Sequence, residues 1–404
     1  MGPGTNVTPA ASAASCSVVA LSPGARRHQR YSPPDGRENR IAAGGIWRCI
    51  AAIIPVARRA CSARIVFKCA SNAKAYSQTA PLAAVIGTYN SGCTFVELPI
   101  VNRAPGGSIP MISPSNTAPD LTRAAPGAPS QQADSLSPSG VRSYVRLVPG
   151  DDLQGAADAV FARQLGLRRI FVLRDQYPQA LSSGFTRAAH KLHMPVAGSA
   201  VWSSPSGYAA LADRVAHSGA DGVFMGGSPF TGGDKLIQAL RSHLGRRFPI
   251  IVPDAFLPIS DMRTLAGAAA LGTYVSFPGI GTLSPRGRRL VRSFARTQPG
   301  GTLPEGTYVP QTLQATELVL QAIARSDGTR PSVLRELKAL HGQDGMFGPF
   351  RFDANGDVTP EHFTIFRITG HTPTSAHLVS DFQGSVPVRV VSVPTDMIGS
   401  DTPP

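Results

Sequence analysis

The sequence predicts an α/β fold built on parallel sheets, and three observations carry that reading. Short apolar runs alternate with helical patterns of about 10 to 15 residues, the signature of βαβ units. Two early runs, Val85-Ile86-Gly87-Thr88-Tyr89-Asn90-Ser91-Gly92 and Pro110-Met111-Ile112-Ser113-Pro114-Ser115-Asn116-Thr117, end abruptly in small hydroxyl and amide residues. That is how a parallel strand ends at the ligand edge of an open sheet. The apolar fraction of 42% is enough for a packed core, and only 16% of residues are charged.

The elements follow in order. Residues 1–60 are rich in Ala, Ser, Pro, Gly and Arg, hold no sustained period, and read as irregular or disordered. After the two strand-edge motifs, residues 124–140 form a Pro/Ser/Gly-rich connection. Strands are expected at 144–147, 169–173, 196–202, 222–225, 249–252 and 274–277, with helices at 152–165, 178–192, 208–218 and 235–244. Residues 285–340 are mostly helical. Residues 348–352 and 362–368 are expected as antiparallel strands around the turn Asp353-Ala354-Asn355-Gly356-Asp357, where Asn-Gly supplies the positive φ. Asp353 and Asp357 read as turn formers.

The 404 residues suffice for two or three ordinary domains, and 36 prolines and 41 glycines imply long loops. The formal net charge is +14. Its arginines, Arg163, Arg168, Arg169, Arg241, Arg246, Arg247, Arg286, Arg288 and Arg289 among them, are scattered along the chain. They form no aromatic-interleaved basic stripe, so no nucleic acid partner is expected. No run of about 18 uncharged apolar residues marks a transmembrane helix. Residues 1–22 lack the basic region of a signal peptide, and Ala13-Ala14-Ser15-Cys16 resembles a lipoprotein cleavage site only in outline, without its leucine.

Enzyme signatures are missing. Gly227-Ser228-Pro229 is no nucleophile elbow, because Phe230 stands where the second glycine belongs. No glycine-rich loop ends in Lys-Ser/Thr. His190 and His193 have i, i+3 spacing but no further ligands nearby in sequence. No catalytic residue, cofactor or metal site is expected.

The order and spacing of several pieces resemble the type I periplasmic binding proteins, specifically substrate-binding proteins of branched-chain amino acid ABC transporters. The resemblance runs from about Cys69 to Ile368. Its pieces are the two strand-edge motifs, Ser143-Tyr144-Val145-Arg146, Phe171-Val172-Leu173 with Asp175 and Tyr177, and Gly219-Ala220-Asp221-Gly222-Val223-Phe224. Pro253-Asp254 and Gly348-Pro349-Phe350-Arg351-Phe352-Asp353 with Gly356-Asp357 complete it. The family opens with a strand, a glycine-containing loop and a long helix, and residues 1–68 show no counterpart. The start is expected to be diverged, truncated or altered in frame. Pro178 replaces the usual glycine after the loop tyrosine.

The resemblance implies two Rossmann-like lobes, with parallel sheets flanked by helices, joined by three hinge crossovers and closing on a ligand in the cleft. Lobe one would hold residues 61–143 and 279–345, and lobe two 144–278 and 346–404. Ser91 and Thr117 would take the ligand carboxylate, with Asn90 in the same strand-edge loop. The Ser115 carbonyl and the Asp254 carboxylate would take the ammonium. Tyr177 and the Gly227 loop would close over the ligand.

The residues alone leave alternatives open. Ser91 is either a ligand hydroxyl or a helix N-cap, and Asp254 either an ammonium partner or a loop cap. A helix starting after Ser91 would aim backbone N–H groups at a carboxylate or phosphate. Cys69 and Cys93 are a disulfide candidate in an oxidising compartment, or else two small buried thiols. The expected function is non-catalytic capture of a branched-chain or similar aliphatic amino acid for an ABC transporter permease, outside the cytoplasm. The alternative is a ligand-sensing module of a receptor or transcriptional regulatory system, since one fold serves both.

Overall fold

The computed structural model describes residues 65–80, 82–124, 132–176, 179–203, 205–279, 283–298, 301, 308–370, 384–393 and 397. The expectations for residues 1–60 and for Tyr177 fall outside these. The chain divides into two compact units. One holds the described residues up to Asn116, with Asp134–Tyr144 and Ala315–Leu337; the other holds Thr117–Ala133, Val145–Gln314 and the residues from Lys338 onward.

The first unit is built on β1 (Val85–Ile86), β2 (Met111–Ser113) and the start of β3 (Tyr144–Arg146), in the order β1-β2-β3. β1 and β2 are parallel, with Val85 opposite Met111. Helix α1 (Ile65–Ser77) carries Cys69 in its second turn and packs with α2 (Ser91–Asn102). Cys69 and Cys93 join these helices as a disulfide, with Cα atoms 5.5 Å apart. Glu97 is buried beside it, but both sulfurs are already bonded to each other. A short helix, α3 (Gln132–Ser135), interrupts the Pro/Ser/Gly-rich connection.

The second unit is larger. After α4 (Asp151–Gln164) come β4 (Ile170–Arg174), α5 (Ala180–Lys191), β5 (Val196–Val201), α6 (Tyr208–His217), β6 (Gly222–Gly226) and α7 (Gly233–Leu244). Then follow β7 (Ile250–Val252), α8 (Ile259–Ala266) and β8 (Tyr274–Pro278). Strands β4 to β8 pair in parallel, and β6 and β7 are buried along their whole length. This is why they read as unbroken apolar runs: helices cover both faces of such a sheet. Helix α8 was not foreseen.

Helices α9 (Pro285–Ala295), α10 (Val309–Arg325) and α11 (Arg330–Ala339) follow, with α11 returning to the first unit. There Arg330 is buried, and its guanidinium donates to the carbonyls of Leu82 at 2.9 Å and Pro105 at 2.7 Å.

The C-terminal strands correct the sequence reading. β10 (Gly348–Phe352) pairs with β9 (His341–Gly345) and β11 (Val358–Thr359). β12 (His362–Ile368) instead joins the large sheet between β8 and β13 (Ser385–Ser392), giving the order β13-β12-β8-β7-β6-β4-β5. The two predicted partners therefore lie in different sheets. The turn between them keeps its expected form, with Gly356 at φ 94° and Asp353 accepting from the Asn355 and Asp357 amides.

Helices α4 and α5 meet through two glycines. A Cβ on Gly155 would sit 2.0 Å from the Leu181 carbonyl oxygen, and one on Gly184 would sit 2.1 Å from that of Asp152. Behind them Phe185 stacks on Phe224 with ring centroids 4.3 Å apart. Gly155→Ala must push backbone apart and is expected to cost about 1–3 kcal/mol in urea denaturation. An unchanged midpoint would contradict this packing.

Candidate functional site

Each unit presents polar groups at the carboxyl ends of its strands. In the first, the loops after β1 and β2 are tied by a buried ladder. Asn116, fully buried, donates to the carbonyls of Thr88 at 3.0 Å and Tyr89 at 3.1 Å, and accepts from Thr94 and from the Tyr144 hydroxyl at 2.9 Å. Ser115 Oγ donates to the Tyr89 carbonyl at 2.6 Å. Asn90, Ser91 and Ser115 are thus brought together on one sheet edge. The N-cap of α2 is Asn90, whose side chain accepts from the Cys93 amide, and Ser91 is the first helical residue. Of the two readings of Ser91, the capping one passes to its neighbour.

In the second unit, Thr117 and Asp254 both adjoin a residue the sequence analysis did not single out, Asp151. The Asp151 amide donates to the Thr117 carbonyl at 2.7 Å, and the Thr117 side chain hydrogen bonds the Asp151 carboxylate. Asp254 opens a short 3-10 turn just past β7, with Pro253 as its cap. Its carboxylate is held by the Tyr308 hydroxyl, the Gln154 side chain and the backbone of Asp254 and Ala255. Burial raises the Asp254 pKa above the ordinary range, and those hydrogen bonds pull it part of the way back. The Asp151 carboxyl is pushed up to about 7, by burial first and then by the charge of Asp254. Both residues are half-buried. The arrangement is a pair of coupled carboxylates at a strand edge, suited to receive a cation.

Gly227 lies just past β6, beside the strand that leads to Asp254. A Cβ there would sit 2.5 Å from the Trp202 ring and 2.6 Å from an Asp175 oxygen, so only glycine lets the loop approach. Trp202 Nε1 and Asp175 both bond Thr231, which anchors this loop from beneath.

A network of charges fixes the segments carrying Thr117 and Asp151. Arg146 is wholly buried. It donates to Asp357 at 2.6 Å, to the Ala118 carbonyl at 2.8 Å and to Thr122 at 3.1 Å. Arg123 grips Asp152 through two bonds of 2.8 and 2.7 Å. Burial alone would raise the Asp357 pKa, but Arg146, Thr122 and Arg123 outweigh it and hold the carboxyl below its usual range. Asp357 is therefore more than a turn former. Nothing in the local sequence announces its partner.

A family model for periplasmic binding proteins matches residues 69–372. The chain belongs to the periplasmic binding protein family. Within it, the chain is 25% identical to the leucine-specific-binding protein of Salmonella typhimurium, over 64% of this chain and 65% of that protein, just under two thirds of the relative's length. An ABC transporter substrate-binding protein from Desulfitobacterium hafniense, solved in complex with Leu, has 23% identity and a TM-score of 0.59, covering 74% of this chain and 82% of that one. A solute-binding protein from R. palustris, solved in complex with benzoate, has 19% identity and a TM-score of 0.60, covering 81% and 82%. These likenesses share the α/β fold expected from the sequence. Among the described residues, no helix is long and apolar enough to cross a membrane.

Proposed function

We propose that the protein is a non-catalytic solute-binding protein that captures a zwitterionic aliphatic amino acid outside the cytoplasm and delivers it to an ABC transporter permease. The observation that carries this is Asp254. Its carboxylate stands at the end of a central parallel strand, held by Tyr308 and backed by Asp151. A carboxylate fixed in this way suits an ammonium group. In the first unit, the N-terminus of α2 with Ser91 offers backbone N–H groups suited to a carboxylate. Relatives of this family that bind leucine support the same ligand class.

The acid pair gives the reading a pH signature. A ligand ammonium favours ionised carboxylates, so below about pH 7 capture must displace the proton on Asp151. Leucine affinity is expected to rise between about pH 5.5 and 8 and then level, with Asp151→Asn flattening the slope. Calorimetry in buffers of different ionisation enthalpy would read the released proton directly. A pH-independent affinity would remove Asp151 from the site.

A further inference from the structure

Below the Asp254 carboxylate, α4 carries two fully buried polar side chains one helical turn apart, Gln154 and Asp158. Both converge on one hydroxyl. Gln154 Nε2 donates to Ser276 Oγ at 2.9 Å, and Ser276 Oγ donates to Asp158 Oδ2 at 3.0 Å. The other oxygen of each, Gln154 Oε1 and Asp158 Oδ1, has no hydrogen-bond partner although both are sealed from solvent. Two orphaned acceptors on neighbouring turns are costly, about 1–3 kcal/mol each. One proton resolves both, because a protonated Asp158 becomes a donor and Gln154 Oε1 is an acceptor at i, i+4 spacing.

We propose that Asp158 is a neutral carboxylic acid that donates to Gln154 Oε1 and so locks the Gln154 amide with its NH2 toward Ser276 and Asp254. Asp158 is then a positioning residue for the ammonium-binding carboxylate. Were the Gln154 amide to flip, its oxygen would face the Asp254 carboxylate and repel it. The direction of the Asp158 pKa agrees. Burial and the nearby Asp254 charge push it well above the usual carboxylate range, against a smaller lowering by Ser276. The ligand part of this inference rests on the amino acid reading given above; the protonation part does not.

Two variants and a spectrum test it. Asp158→Asn keeps the shape and places an NH2 donor where the acid proton stands. Asp158→Leu keeps the approximate shape without the donor. Infrared spectra of the wild-type protein at about pH 8, above the Asp151 value of about 7, should show the carbonyl band of a neutral carboxylic acid, and Asp158→Asn should lose it. Asp158→Asn should melt close to the wild type and bind leucine within about threefold, while Asp158→Leu should bind about tenfold or more weakly. Absence of the band in the wild type, or equal weakening of binding by Asn and Leu, would overturn the proposal. If the wild type binds no leucine, the ligand reading fails by itself. The band, and the melting of Asp158→Asn above Asp158→Leu, then still decide whether the acid is neutral and holds the amide.

Discussion

Arg146→Met should cost about 3–5 kcal/mol of folding stability, the range for breaking a buried ion pair from one side. The guanidinium is wholly buried and bonds Asp357, Thr122 and the Ala118 carbonyl together. Removing it leaves Asp357 with only the Thr122 hydroxyl at 3.0 Å and the Arg123 guanidinium at 3.5 Å. The sign with pH follows. The Asp357 pKa is depressed in the folded protein, so its contribution is present above the unfolded carboxylate range and is lost as pH falls through the folded value. The wild type should therefore lose stability in acid more steeply than Arg146→Met. The double variant Arg146→Met with Asp357→Leu should recover part of the loss, since an apolar pair often replaces a buried ion pair at little cost. Denaturant titrations of the wild type and the two variants check this. A single variant within 1 kcal/mol of the wild type, on the scale of an exposed pair, would show that the network contributes little.

Asp254→Asn should weaken leucine binding by about 1.5–3 kcal/mol, roughly ten- to more than a hundredfold, while leaving the fold intact. The amide oxygen still accepts from the Tyr308 hydroxyl, so the turn after β7 keeps that support. What is lost is the negative charge facing the ammonium. Asp151 retains part of the field, which keeps the effect below that of deleting a lone buried charge. Calorimetry and melting of the same sample separate the two outcomes. A variant that binds leucine as tightly as the wild type would remove Asp254 from the site.

The parallel core was readable because its signals are local. Strands at Ile170–Arg174, Gly222–Gly226 and Ile250–Val252 fall within a residue or so of the expected positions. Buried strands between amphipathic helices must be short apolar runs. The C-terminal sheet was misread for the opposite reason. Residues 348–352 and 362–368 flank a good turn, yet Asp357 within it is claimed by Arg146, far back in the chain. That long-range bond, with the pairing of His362–Ile368 to Tyr274–Pro278, overrides hairpin closure. Strand Ser385–Ser392 passed unnoticed although it is rich in valine. Its Pro387 is tolerated at a sheet edge, next to a register shift opposite Ile365 and Phe366.

The site was half legible. Asp254 stands out in sequence as a carboxylate ending an apolar strand. Tyr308, Gln154 and Asp158 do not, because their importance lies in which tertiary neighbour they meet. A regular spacing was present all the same: Asp151, Gln154 and Asp158 at i, i+3 and i+7 mark one face of a helix. Two acids and an amide repeated on one helix face are a signal that something polar must answer them.

The central claim is capture of a zwitterionic amino acid, and titration calorimetry of the purified protein with leucine tests it most directly. Saturable heat at one site, repeated with isoleucine or valine, is the expected result. No heat from any of the three, together with saturable binding of benzoate, which has no ammonium for Asp254 to receive, would contradict it.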